Sequence, residues 1–242
     1  AAIDEAAKSG AAVKIPRFNK RTGQNIWIIE RALKLYSGSV LMLENCHLRL
    51  ADGVYSNIFI NSNADTEAGY TNEGRQYDIR ITGFGNALLD GGNHNGIFES
   101  DFYEYDENAK FVRRKVYKGL TGAGVNIALK FVNAQRITIE NIRIINQRYW
   151  GMAFYYCSYG RISGIEFEAL NKVPNQDGID IRQGCNNFVI ENISGYTGDD
   201  MVALTALGDY GDKFAFMNGN IYNVIIRNIR ACMSGHCDII RD

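Results

Sequence analysis

A short phrase recurs through the second half of this 242-residue chain and limits the folds open to it. It reads Arg136-Ile137-Thr138-Ile139-Glu140-Asn141-Ile142, then Gly160-Arg161-Ile162-Ser163-Gly164-Ile165. It returns as Phe188-Val189-Ile190-Glu191-Asn192-Ile193 and as Val224-Ile225-Ile226-Arg227-Asn228-Ile229. The closing isoleucines at 142, 165, 193 and 229 are spaced 23, 28 and 36 residues apart, a range that suits stacked coils with loops of varying length. Each phrase is a β-branched run of period two, then Asn or Gly, then another apolar residue. Asn and Gly tolerate the left-handed backbone that turns one strand into the next. Strands this short cannot bury a face alone. Stacked coil on coil and hydrogen-bonded along the axis, they form one continuous core. The expected fold is all-β, a right-handed parallel β-helix. Residues 40–43 and 79–81 fit as earlier, less regular rungs. Residues 1–12 read as a short N-terminal helix capping the open apolar end. An antiparallel β-sandwich is the alternative. Few two-residue hairpin turns and a repeat in place of a meander speak against it.

Composition narrows the function classes. A formal net charge of -1 gives no electrostatic pull toward nucleic acid or anionic membrane. No apolar run approaches the roughly 20 residues that span a bilayer. The first residues lack the charged and apolar regions of a signal peptide, as a trimmed secreted protein also would. Two Pro against 25 Gly leave the turns to Gly and Asn. The five cysteines (Cys46, Cys157, Cys185, Cys232 and Cys237) are odd in number and lack a CxxC pattern, so no zinc or other metal site is expected. Eight residues before Ile142, Ile165 and Ile193 stand Ala134, Cys157 and Cys185. They share one station in successive coils and are expected to form an inward-facing stack of small core residues. Cys232 and Cys237 bridge only if their Cα atoms come within about 7 Å.

Chemistry concentrates in Asn175-Gln176-Asp177-Gly178-Ile179-Asp180-Ile181 and the later Gly198-Asp199-Asp200. These place Asp177, Asp199 and Asp200 at the ends of two apolar segments that cluster them if stacked. Clustered carboxylates are costly unless their shared protons or charge are used. Asp180 falls within the Ile179/Ile181 alternation and should point outward, as a site-edge or structural residue. Tyr149 and Trp150 lie one rung before Asp177, where aromatic faces suit the apolar side of a sugar ring. Arg148, Lys172 and Arg182 lie nearby and offer donors for hydroxyl or acid groups. Against that, Trp150 is equally a packing residue at a coil corner, and Arg182 a solvated strand residue. His47 and His94 are isolated and read as structural or surface residues. Residues 101–107, followed by the basic 113–115, read as an excursion that walls a cleft or is simply solvated. Asn192-Ile193-Ser194 is a glycosylation sequon by pattern, placed within a rung.

Several motifs also occur in a recognisable order. Residues 6–16 lead a helix into a Val-x-Ile-Pro strand. Ile81-Thr82-Gly83-Phe84-Gly85 with Asp90-Gly91-Gly92 forms a glycine-rich rung, and residues 131–145 precede Gln147-Arg148-Tyr149-Trp150. Asn175-Gln176-Asp177, Gly198-Asp199-Asp200 and Ser234-Gly235-His236 follow. Together they resemble the Asn-Thr-Asp, Gly-Asp-Asp and Gly-His-Gly elements of the family 28 glycoside hydrolases, the polygalacturonase group. The resemblance implies an inverting hydrolase in which Asp199 is the general acid. Asp177 and Asp200 would hold and deprotonate the water, and His236 would orient or tune the acid. Inverting carboxyls sit about 6.5–9.5 Å apart, and side chains splayed from rungs about 4.8 Å apart fall in or near that range. The chain departs from the pattern at Gln176 in place of Thr and at Cys237 in place of Gly. It also carries about a dozen extra residues around 209–220. The family's Arg-x-Lys element, which grips a uronate carboxylate, has no counterpart before Asp242. One β-helix domain over 1–242, incomplete at its C-terminus, is therefore expected.

The resemblance implies a pectin-like or other acidic polysaccharide or oligosaccharide as partner, with no nucleic acid and no membrane. It implies no cofactor, a monomer, and a secreted or periplasmic location. Two other readings stay open. A polysaccharide lyase on the same architecture would need Ca²⁺ held by several carboxylates and a base such as Arg182. A non-catalytic carbohydrate-binding or phage-spike-like β-helix would need neither.

Overall fold

The computed structural model describes residues 2–54, 56–93, 103–105, 107–108, 111–114, 127–169, 175–233 and 239–241. The four recurring phrases lie side by side in it. Ile142, Ile165, Ile193 and Ile229 pair in parallel, one coil to the next. So do Ile81, Ile139, Ile162, Ile190 and Ile226. The unequal sequence steps thus share one register, and the extra residues are looped out at the corners. The architecture is a right-handed parallel β-helix, and the parallel pairing removes the sandwich alternative.

Two parallel sheets wall the coil. One stacks Ala12–Pro16, Val40–Glu44, Gln76–Phe84, Ala134–Ile145, Ser158–Glu168, Asn186–Thr197 and Tyr222–Met233, with Trp27–Ile29, His47–Leu50 and Leu88–Asp90 alongside. The other stacks Leu33–Leu35, Phe59–Asn61, Leu129–Val132, Met152–Tyr155, Ile179–Arg182, Val202–Thr205 and Ile240–Arg241. The long strands of the first sheet turn a corner at Asn141, Gly164, Asn192 and Asn228, all with φ between 54° and 66°. Only residues that tolerate left-handed backbone fit there. Nδ2 of Asn228 donates to Asn192, and Nδ2 of Asn192 to Oγ of Ser163 at 3.2 Å. The sequon asparagine is therefore a rung of an amide ladder. Tyr103–Tyr105 and Phe111–Arg114 form an antiparallel pair outside both sheets, the expected excursion.

One apolar core fills the coil from Ile15 to Val202. Ala134, Cys157 and Cys185 are wholly buried and occupy one inward column. Cys46 is buried as well, and burial pushes its thiol up to about 11. Cys237 and His94 lie outside the described residues, as does the side chain of Cys232. Phe131 stacks on Phe154 at 5.6 Å, and Phe188 meets Phe154 edge-on at 5.3 Å. A Cβ on Gly160 would sit 2.1 Å from the Phe188 ring, so only glycine leaves room for it. The helix Ala2–Ser9 packs Ile3 on the core beside the first coil. It closes that end in part, leaving a cavity of about 480 Å³ lined by Val13, Ile15, Trp27, Ile29 and Leu48. Among the described residues no helix is long and apolar enough to cross a membrane. His47 is not isolated: its Nε2 lies 2.9 Å from the buried Asp90 carboxylate.

A second apolar cluster sits outside the coil. Val132, Ala153 and Tyr155 point outward from the second sheet and are covered by Tyr210, Phe214 and Met217. These belong to the extra residues after Val202–Thr205, which form a strap. Phe214 stacks on Tyr156 at 4.1 Å and meets Tyr70 edge-on at 5.5 Å. Hydroxyl Oη of Tyr210 donates to Asp65 at 2.8 Å, and N–H of Gly184 to the Gly219 carbonyl at 2.9 Å as the strap returns.

The column packing sets the first expectation. Gly160→Val forces a branched side chain into the Phe188 ring and should cost more than Ile190→Ala, which removes about 2–5 kcal/mol. At about 2–4 °C per kcal/mol for a domain of this size, thermal melting reads both. A Gly160→Val protein that melts with the wild type would refute the packing assigned to Phe188.

Candidate active site

Backbone pairing positions the carboxylates. Gly151 N–H donates to the Asp177 carbonyl at 2.9 Å, and Gly178 N–H to the Asp200 carbonyl at 2.8 Å. The registers Met152↔Ile179 and Ile179↔Val202, extended back by two residues, place Trp150, Asp177 and Asp200 at one station of successive coils. A Cβ on Gly178 would lie 2.5 Å from the Met201 carbonyl oxygen. The glycine after Asp177 is what lets these coils close at this point. Gln176, in the place of the family's Thr, is fully buried, and its Nε2 donates to the Gln147 carbonyl at 2.5 Å.

Asp177, Asp199 and Asp200 are brought together. Asp177 and Asp200 are buried, while Asp199 is partly open to solvent. Oδ2 of Asp199 accepts from the Asn175 N–H at 3.0 Å, and its Oδ1 from the Asp200 N–H at 3.1 Å. Nη1 of Arg241 donates to Oδ2 of Asp200 at 3.3 Å. Burial, then the charges of Asp199 and Asp200, push the Asp177 carboxyl up to about 8. The cluster therefore keeps a proton at neutral pH. Asp180 points outward as its alternation requires, yet it is 1 % exposed. Burial, reinforced by Asp177, holds its carboxyl well above the usual range. Among the described residues, Asp177 Oδ1, Asp180 Oδ2 and both side-chain polar atoms of Gln147 are buried with no hydrogen-bond partner. Such orphans are rare in a framework and mark a site built for something else to bind.

The residues expected to touch substrate fall into two groups. Arg148 and Tyr149 are partly exposed, and burial lowers the Arg148 guanidinium from its ordinary value. Trp150 is buried, with Tyr149 tilted against it at 4.7 Å. Arg182 is not a solvated strand residue. It is 5 % exposed, with its guanidinium carbon 4.6 Å from the Trp150 ring centroid and its Nε and Nη2 donating to Asp209. The reason is the strap, which brings Asp209 over the sheet. Lys172 and His236 lie outside the described residues. Arg241 and Asp209 escaped the sequence reading. Arg241 ends a two-residue strand with no visible period, and Asp209 sits in an insertion whose landing place no local pattern reveals.

The sequence model of glycosyl hydrolases family 28 matches residues 45–237. A candidate glycosyl hydrolase from Parabacteroides merdae aligns with a TM-score of 0.57 and 12% identity, over 96% of this chain and 87% of that one. The family 28 exopolygalacturonase of Yersinia enterocolitica aligns with a TM-score of 0.63 and 17% identity, over 95% of this chain and 45% of that one. The hyperthermoactive exopolygalacturonase of Thermotoga maritima gives 0.61 and 17%, over 94% and 60%. This chain spans less than two thirds of either exopolygalacturonase. At these identities the structural likeness speaks for the fold.

The buried proton has a measurable sign. Asp177 binds its proton more tightly folded than unfolded, so its contribution to stability is complete below about pH 4 and is lost as pH rises through about 8. Asp177→Asn should therefore melt several degrees above the wild type at pH 9 and show a flatter pH dependence from 4 to 9. Equal melting at pH 9 would contradict a raised Asp177.

Proposed function

The chain belongs to glycosyl hydrolases family 28, and from that premise we propose that it hydrolyses an acidic, pectin-like glycan with inversion at the anomeric carbon. The observation that supports this most is the packing of Asp177 and Asp200, both buried on adjacent coils, beside the more open Asp199, where burial and like charge push Asp177 up to about 8. In the reaction proposed, a carboxylic acid protonates the glycosidic oxygen as the bond from the anomeric carbon breaks. A water on the opposite face gives a proton to a carboxylate, and its oxygen bonds to that carbon. The two carboxyl groups exchange roles, and solvent restores them.

Asp199, the most open of the three, is assigned the acid. Asp177 and Asp200 are assigned the water, with Arg241 on Asp200 favouring its carboxylate form. His236 keeps its proposed role of tuning the acid. Arg148 and the exposed guanidinium of Arg241, together with Lys172, supply positive charge for an acidic sugar. Trp150 and Arg182 contribute by position rather than by contact, because both are buried. The lyase alternative has less support at Arg182, whose guanidinium is engaged by Asp209 and Trp150. One feature favours a second assignment: burial and the neighbouring carboxylates raise Asp177, and a raised carboxyl suits the acid role. The proposed setting is a secreted or periplasmic monomer.

Asp199→Asn and Asp200→Asn should each lower kcat by about 10²–10⁴ with little change in KM. NMR of fresh product should show the inverted anomer, and a retained one would sink the mechanism. A substrate with a good leaving group needs no acid, so it should restore Asp199→Asn and not Asp200→Asn. Restoration of Asp177→Asn instead would move the acid role to Asp177. Unchanged turnover in all three variants would favour a non-catalytic β-helix.

A further inference from the structure

A line of charges runs from the surface into the acidic cluster. Ile179 and Ile181 enter the core, so Asp180 and Arg182 face outward from the strand that follows Asp177. Both are nevertheless buried, at 1 % and 5 % exposure. Nη1 of Arg182 lies 3.9 Å from Oδ1 of Asp180. The other edge of the same guanidinium, Nε and Nη2, donates to the two carboxylate oxygens of Asp209 at 3.0 and 3.1 Å. The Asp209 side chain is 30% exposed. The Trp150 ring covers the guanidinium, its centroid 4.6 Å from the guanidinium carbon. One cation thus stands between a buried aspartate of the site and a carboxylate that the strap holds near solvent.

Charge in such a place is felt over several ångströms, because little water screens it. Arg182 favours the ionised forms of Asp177 and Asp180, though burial outweighs it at both. Asp209 acts against it: the bidentate grip turns the guanidinium outward and offsets much of its charge. Asp199 and Asp200 face the pair from the next coil, and Arg241 from beyond that. The preceding coil presents Trp150 and Tyr155, neither of them charged, with Arg148 just before them. Fastening the strap would need only the Arg182–Asp209 pair. It would not need that cation 3.9 Å from a buried carboxyl whose Oδ2 finds no partner among the described residues.

We propose that Arg182 and Asp209 are positioning residues that set, with opposite signs, the pH range in which the aspartate cluster works. Arg182 draws the cluster toward its ionised forms, and Asp209 limits how much of that charge the cluster feels. Neither touches the reacting carbon or the water. The proposal rests on the hydrolase reading above and adds to it a control that comes with the extra residues around 209–220.

Arg182→Met should raise both limbs of the kcat/KM profile on polygalacturonate by about 0.5–1 pH unit, the scale of one nearby charge in a partly buried site. Asp209→Asn should lower both limbs, and the double variant should return them close to the wild type. Arg182→Lys keeps the charge and loses the fork, so its profile should stay near the wild type even where its melting temperature falls. A purely structural pair would instead make all three single variants alike. Melting curves establish that each variant folds. Should Arg182→Met not fold, Asp209→Asn and Arg182→Lys still separate the two roles. An arm independent of activity is a carbon NMR titration of labelled aspartate carboxyls, with Asp177 identified by the signal missing from Asp177→Asn. Its midpoint should move up in Arg182→Met and down in Asp209→Asn. Such opposite shifts without hydrolysis would overturn the hydrolase and leave the tuning. Hydrolysis with limbs that stay fixed, or that move the same way in Arg182→Met and Asp209→Asn, would overturn the tuning and leave the hydrolase standing. Fixed midpoints without hydrolysis overturn both.

Discussion

Hydrogen bonding along the axis, from each strand to its counterpart one coil away, is the constraint on which everything else rests. It makes every side chain the neighbour of the side chain at its own station. A station must therefore be compatible with itself. Isoleucine stands on isoleucine, Cys157 and Cys185 stand on Ala134, and Gly160 yields space to Phe188. The same rule brings Asp177 and Asp200 to one station about 4.8 Å apart along the axis. Two acidic residues there oppose ionisation, and the site accepts that opposition. Asp177 holds a proton that an exposed aspartate would have lost.

The fold was legible because its register is written in short local patterns. The Ile steps of 23, 28 and 36 residues coincide with coil pairing, and Asn141, Gly164, Asn192 and Asn228 all take the left-handed corner. The small residues eight places earlier share a column for the same reason. The carboxylate cluster was legible as far as it depends on those registers. Alternation also gives the outward direction of Asp180. It does not say what lies on top of an outward residue. An outward residue is solvated only if nothing returns to cover it, and the covering strap comes from residues more than twenty positions later. Asp209, Tyr210 and Phe214 carry no period of their own, so their partners follow only from the folded chain.

The site combines rigid and uncompensated parts. Its backbone is fixed by the Gly151 and Gly178 hydrogen bonds and by contacts that tolerate no Cβ. Its side chains include buried polar atoms at Gln147, Asp177 and Asp180 that find no partner among the described residues. A framework so regular elsewhere can absorb that local loss, because each coil adds a similar increment of apolar burial. The unfavourable burial is thus concentrated where proton affinity has to differ from its value in water.

A stack whose coils touch only their neighbours behaves as a one-dimensional array and can fray from either end. The strap departs from that rule. Tyr210 and Asp65 are 145 residues apart in sequence and four strands apart in the second sheet, yet they share a hydrogen bond. Earlier coils are thereby tied to later ones, and fraying at one end is felt at the other. Asp209, at the start of the same strap, is what covers Arg182. A chain whose strap is not yet laid down would leave Arg182 open to water, so its burial is a property of distant segments meeting rather than of any single coil.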